Sequence, residues 1–355
     1  MTLTTSPTPR LLDAELLTDL RAHAGALDHG DASSRRSFED LGAAGHLALG
    51  APGNADGRLP EMAEVVREIA EVCMSTAFSV WAHRMVVEYL LTADTPFATT
   101  AVEPLLTGTV LGVTGMAPAF KDLAGCGTIE VTAAPVDGGY ELSGPLRWAS
   151  NLHPDATLVT AARTEAGERL IVALPLSTPG VQVGEHFDLL AMGSTASSSL
   201  RFHGARVPRD QVLSHDFESF LAAVRPTFLL LQTAMCLGLA RTGIDQARAQ
   251  LAGVNAVFAT EADRAAADLA RAEATLTELA TTVGGHSAPG KKDLLSLRLA
   301  AAELATAATA LEIRTAGGKG YAGSTPANRR YREAAFIPLQ SPSEAQLRWE
   351  LATHA

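Results

Sequence analysis

The feature that most restricts the fold of this chain is a change of hydrophobic period that happens twice. Over residues 11–106 apolar side chains recur at three- and four-residue steps, as in Leu12, Leu16, Leu20, Ala24 and Leu27, and Pro60 opens a second amphipathic stretch that runs to Val72. After Gly108 the pattern shortens to alternation: Ile129, Val131 and Ala133, then Tyr140 and Leu142, flank the hairpin-like turn Asp137-Gly138-Gly139. Short apolar runs over 158–162, 170–174 and 199–202 continue it, each bounded by Gly, Pro or polar residues. From Phe217 helical spacing returns in long stretches, with Ala262, Ala265, Leu269, Ala272, Leu276 and Leu279 on one face and Leu294, Leu297, Ala301, Leu304, Ala308 and Leu311 on another. The expected fold class is α+β in three parts: an N-terminal α-helical domain over 1–107, a middle antiparallel β-domain over 108–215 and a C-terminal helical bundle over 216–355. The many alanines of the last part imply close helix approach, in a core shared between helices or between subunits.

Charge excludes several partners. The 355 residues carry 28 Lys plus Arg against 39 Asp plus Glu, a formal −11, which argues against a nucleic acid held through its phosphates and against an anionic membrane surface. The Thr- and Pro-rich start over 1–10 lacks an apolar stretch behind a basic end; it is expected to be a loose tail rather than a secretory signal. The most apolar run, 226–240, is interrupted by Thr227, Gln232 and Thr233 and is shorter than the roughly 20 residues of a membrane span, so it reads as a buried helix. Three distant cysteines, Cys73, Cys126 and Cys236, have neither metal-ligand spacing nor a CxxC pair and fit a reducing, cytoplasmic setting.

Motifs for chemistry are sparse. Gly318-Lys319-Gly320-Tyr321-Ala322-Gly323 matches GxGxxG, but it follows a helix rather than a strand, so a glycine cap and tight turn is expected there, not a dinucleotide site. The ten histidines form no HExxH and no i, i+4 pair, so no metal site is expected; His83, between Trp81 and Tyr89 on an apolar helix, reads as a packed or cleft-lining side chain. There is no GxSxG elbow, and Cys126 has no histidine nearby in sequence. Trp148, with Ser150 and Asn151 just after it at a strand end, offers an aromatic plane beside a hydroxyl, which a flat heterocycle needs; a packed core tryptophan is the commoner outcome of such a segment.

Taken in order, these segments resemble the acyl-CoA dehydrogenase superfamily, from about Leu11 to Leu351. The most specific stretch is Val136-Asp137-Gly138-Gly139-Tyr140-Glu141-Leu142-Ser143-Gly144 followed by Leu146-Arg147-Trp148-Ala149-Ser150-Asn151, which is similar to the family's "dGy.LnG.K.WitN". Pro179-Gly180-Val181, the segment Met192-Gly193-Ser194-Thr195-Ala196-Ser197, and Phe202 with Val207-Pro208 follow with the family's order and spacing. Ala316-Gly317-Gly318-Lys319-Gly320-Tyr321 and Tyr331-Arg332-Glu333-Ala334 resemble a later helix turn. The resemblance implies that the last part is a four-helix bundle, and that a flavin, FAD or alternatively FMN, lies between the β-domain and the bundle at a subunit interface. Trp148 would flank the isoalloxazine, Ser150 would hydrogen-bond near N5 and Thr114 would meet the pyrimidine edge. Gly317 and Gly318 are the glycines of that helix turn. The implied assembly is a homodimer or homotetramer with a small-molecule substrate, an acyl-CoA in the family's usual case, and an electron-transfer or flavin-reductase partner.

The family's chemistry also needs a carboxylate that removes the acyl α-proton while hydride leaves the β-carbon. Aligning Arg332 and Arg348 sets Ser341 in the position of the usual Glu, with Gln340 beside it; a second branch draws its Glu from the first bundle helix, where this chain has Thr227-Phe228, about ten residues before Gly238. Glu344 and Glu333 are the nearest carboxylates in sequence. At the nucleotide end, Asn255-Ala256-Val257-Phe258-Ala259 replaces the family's "R.qFG", Phe120 stands at a serine position, and Arg314 is the candidate replacement cation or a cap for its own helix end. Three readings follow: a flavin-dependent dehydrogenase of an acyl-CoA or acyl thioester with an unusual base, a reduced-flavin-dependent monooxygenase on the same fold, and a non-catalytic ligand-binding or assembly relative.

Overall fold

A computed structural model describes residues 10–354, so positions 1–9 of the expected tail lie outside the described residues. Helix α1 (Ala14–His29) starts where the Asp13 carboxylate accepts from the Glu15 amide and stops at Gly30, whose φ of 84° only glycine adopts freely. It buries Leu17, Leu20, Ala24 and Leu27; Leu12, expected on the same stripe, precedes the helix and donates its backbone N–H to Glu68. After the short α2 (Phe38–Ala43) come α3 (Leu59–Val72), begun by Pro60 in its first turn, then α4 (Met74–Ala93) and α5 (Pro96–Leu106). Helix α4 is buried on every side from Met74 to Leu90, because the other helices and the first strand wrap it.

Strand β1 (Gly112–Gly115) and the one-turn-plus helix α6 (Ala117–Leu123) lead into the sheet. There β2 (Thr132–Val136) and β3 (Gly139–Ala149) form the expected hairpin across Asp137-Gly138. The remaining strands are β4 (Thr157–Arg163), β5 (Arg169–Pro175), β6 (Val181–Val183), β7 (Ser198–Pro208) and β8 (Val212–Ser214). The strand order is β6-β7-β3-β2-β4-β5-β8; most ladders are antiparallel, and β1 runs parallel to residues 157–160 of β4, which β2 meets only at Arg163.

The carboxyl part is built on α7 (Phe217–Arg248), α8 (Ala259–Thr282) and α9 (Lys291–Ala316), followed by α10 (Gly318–Tyr321), α11 (Pro326–Ala334) and α12 (Glu344–His354), of which α11 and α12 pack on α9. Helix α7, at 32 residues, is long enough to cross a membrane, yet 78% of its most apolar window is buried inside the protein against α3, α4, α8 and α9. At Gly238 a Cβ would sit 2.3 Å from the Arg67 carbonyl, so α3 and α7 approach backbone to backbone there and only glycine fits. The GxGxxG run follows α9, which ends at Gly317 with φ 58°, and no strand precedes it.

Candidate active site

Where β3 ends, the backbone turns through Asn151, which holds φ at 62°, a left-handed conformation asparagine tolerates. Its side-chain amide donates to the Ser79 carbonyl at 2.9 Å and the Gly112 carbonyl at 3.1 Å, pinning the strand end to α4 and β1 at once. That anchor sets Trp148 and Ser150 beside Thr114. The three residues line one cavity of about 320 Å³, a size usual for a small-molecule site. Phe78, Trp81 and Ala82 of α4, Phe228 of α7 and Phe336 after α11 form its apolar walls, and Leu339, Gln340 and Ser341 close the remaining side.

Trp148 is not a packed core side chain. The residue is 48% exposed, with Phe187 against its ring at 4.3 Å between centroids, so it is not enclosed by a core. Ser150 is buried and hydrogen-bonded to Ser197 at 2.7 Å, and Thr114 meets the hydroxyl of the fully buried Tyr89 at 3.2 Å.

Among the described residues no carboxylate lines the cavity, and Lys121 of α6 is the ionisable side chain there. Gln340 and Ser341 stand in the wall, held by a buried polar cluster: Arg298 donates from Nε to Gln232 Oε1 at 3.0 Å, and Gln232 Nε2 donates to the Ser341 carbonyl at 2.9 Å. Gln340 Nε2 and Ser341 Oγ have no hydrogen-bond partner among the described residues.

The carboxylates nearest in sequence lie elsewhere. Glu344 opens α12 and accepts from Arg348 Nε at 2.8 Å on an exposed face, because α12 begins only after the loop that carries Gln340 and Ser341. Glu333 is buried on α11, where burial pushes its carboxyl up to about 7 against the pull of Arg329, and it does not line the cavity. At the alternative base position Thr227 donates to Glu88 at 3.0 Å in the helix core, while Phe228 faces the cavity. His83 is structural: the Gly112 amide donates to Nδ1 at 3.0 Å, Nε2 lies 3.0 Å from the Leu105 carbonyl, and burial lowers its pKa to about 3.

Arg314, Gly317 and Gly318 do not join this group. Arg314 sits in the last turn of α9, about 24 Å along the helix from Arg298 at 1.5 Å per residue, and the two glycines follow the helix end. Arg314 is paired with Glu261 and lies 5.0 Å over the Phe258 ring, so it caps this end of the bundle. The described residues of one chain therefore fit the ring of a flavin, through an aromatic plane and two hydroxyls, and gather no comparable set for its phosphates at the cavity. Sequence reading missed Lys121, Tyr89 and the roles of Thr195 and Ser197. Lys121 directly follows Phe120 on α6, and Ser197 ends the segment that begins at Met192.

No family model matches the chain. The mitochondrial short-chain specific acyl-CoA dehydrogenase of Bos taurus is 29% identical over 241 residues, covering 63% of this chain and 58% of that protein, so the match spans under two thirds of the relative's length. Benzylmalonyl-CoA dehydrogenase of Aromatoleum aromaticum is 28% identical over 333 residues, covering 88% of this chain and 87% of the relative. Among solved structures, butyryl-CoA dehydrogenase from Megasphaera elsdenii superposes with a TM-score of 0.84 over 97% of this chain and 99% of that one, at 17% identity.

Proposed function

The chain belongs to the acyl-CoA dehydrogenase superfamily, and from that premise we propose that it is a flavin-dependent oxidoreductase whose reaction runs without a carboxylate base. The observation that carries the proposal is the cavity itself: Trp148, Ser150 and Thr114 line it together, Gln340 and Ser341 occupy the wall where a base would be needed, and none of its lining residues is Asp or Glu. Bound there, a flavin, FAD or alternatively FMN, supplies a two-electron carrier that exchanges hydride with a substrate or passes electrons to dioxygen.

The protein's own residues bind, orient and shield. Trp148 offers its bare face to the ring, Asn151 holds the strand end in register, and the rings of Phe78, Trp81, Phe228 and Phe336 exclude water from the reacting edge. Neither an amide nor a neutral hydroxyl removes an acyl α-proton at neutral pH without a neighbouring base. The absence of a carboxylate from the lining therefore favours the reduced-flavin monooxygenase reading, in which dioxygen is consumed and a substrate hydroxylated or N-oxygenated. Acyl-thioester α,β-dehydrogenation is the second reading, favoured by the similarity to acyl-CoA dehydrogenases. The open cavity and bare indole weigh against a shell with no ligand. A homodimer or homotetramer, served by a flavin-reducing or electron-transfer partner, completes the reading.

The test sets oxygen uptake with supplied reduced FAD or FMN against artificial-acceptor reduction with short acyl-CoA thioesters. Oxygen uptake coupled to substrate oxygenation is expected; acceptor reduction with an acyl-CoA would replace the first reading by the second. Flavin at about 100 times its dissociation constant should also raise stability by about 2.7 kcal/mol in thermal or urea unfolding, and no stabilisation by either flavin would refute both.

A further inference from the structure

Two hydroxyl chains end at the cavity, and counting their hydrogens fixes the direction of each. Thr195 Oγ1 lies 2.9 Å from the Met192 carbonyl, which can only accept, so the single Thr195 hydroxyl hydrogen is engaged there. Ser197 Oγ, 2.8 Å from Thr195 Oγ1, must then donate to it. Ser150 Oγ, 2.7 Å from Ser197 Oγ, must donate in turn. All three side chains are buried, and reversing any one would set oxygen lone pairs face to face at under 3 Å. Ser150 consequently meets whatever occupies the cavity as an acceptor.

The second chain has the opposite sense. The Tyr89 hydroxyl is fully buried, and its one partner among the described residues is Thr114 Oγ1 at 3.2 Å. If Tyr89 accepted, its own hydrogen would be left without a partner inside the protein, at a cost of roughly 1–3 kcal/mol. Tyr89 therefore donates, and the Thr114 hydrogen is left for the cavity.

Resting on the flavin reading above, with Ser150 near N5 and Thr114 at the pyrimidine edge, we infer that the site is polarised to hold the flavin in its two-electron-reduced state. Oxidised isoalloxazine has a lone pair and no hydrogen at N5, so the Ser150 oxygen would oppose it acceptor to acceptor. The reduced ring carries a hydrogen at N5 that Ser150 can accept, and its added electron density along the pyrimidine edge strengthens a bond donated by Thr114. Thr195 and Ser197 are positioning residues that act through Ser150.

Anaerobic titration of the full chain with oxidised and reduced FMN and FAD, with the midpoint potential of the bound flavin as a second readout, tests this. The wild type is expected to bind reduced flavin at least tenfold more tightly than oxidised, equivalent to a potential raised by about 30 mV for a two-electron couple. Ser197→Ala releases the Ser150 hydrogen toward the cavity and should bring the ratio down about tenfold; Thr195→Val, which removes the receiving hydroxyl at nearly constant volume, should move it the same way and serves if the first variant fails to fold. Equal affinity for the two states in the wild type, or an unchanged ratio in the folded variants, would overturn this inference alone. Failure of the wild type to bind either state would overturn the flavin reading and this inference with it.

Discussion

Trp148→Ala is expected to weaken flavin binding by roughly five- to 150-fold, the range set by about 1–3 kcal/mol for a flat base stacked on an aromatic side chain, while leaving the unfolding midpoint nearly unchanged. The asymmetry between ligand and fold follows from exposure. Trp148 is 48% exposed and touches Phe187 rather than a closed core, so truncation opens no internal cavity of the kind that makes large-to-small changes costly. Ser150→Ala should act more weakly and on the reduced flavin alone, by the worth of one hydrogen bond, about 0.5–1.5 kcal/mol. Anaerobic titration with reduced FMN and FAD beside urea unfolding separates the two effects. Undiminished binding in both variants would remove the site from this cavity altogether.

The elements were legible because each carries a local signal. The two-residue Asp137-Gly138 turn, the Pro60 start of α3 and the apolar faces of α8 and α9 are read from neighbours in the chain, and they recur in the structure at those positions. The cavity is another matter. Thr114, Trp148, Phe228 and Ser341 come together only because Asn151 ties β3 to α4 and β1, and because α7 packs alongside α4; no periodicity encodes either contact. Sequence proximity misled for the carboxylates: Glu344 is three residues from Ser341, yet the start of α12 turns it outward to Arg348. Hydroxyl chains leave no trace in the sequence at all, since Ser197 and Tyr89 are ordinary residues until their partners are known.

Arg84→Met should destabilise the protein by about 3–5 kcal/mol, the usual consequence of stripping one partner from a fully buried ion pair. Arg84 and Glu88 stand one turn apart on α4, both without exposed surface, with Nη1 to Oε2 at 2.9 Å. Arg84 also donates to the Leu49 carbonyl at 3.0 Å, and Glu88 accepts from the Gly53 amide at 2.7 Å and from Thr227 Oγ1 at 3.0 Å. With Arg84 gone, the Glu88 charge keeps only two neutral donors in a dry interior. Adding Glu88→Gln should recover much of the loss, because a neutral amide can still accept from Gly53 and Thr227 without an unpaired charge. The network has a bearing on the site as well. It joins α4, which supplies Phe78, Trp81 and Ala82 to the cavity, to α7, which supplies Phe228, and the Trp81 indole donates to the Phe228 carbonyl at 3.3 Å in the same seam. A loosened seam lets the two aromatic walls part, so the single variant should bind flavin less tightly even at temperatures where it remains folded, and the double variant should regain affinity in step with its stability. Urea unfolding of the single and double variants, with flavin titration of each, measures both. A loss under about 1 kcal/mol for Arg84→Met, or no recovery on adding Glu88→Gln, would mean that the α4 charge is compensated by groups other than those named.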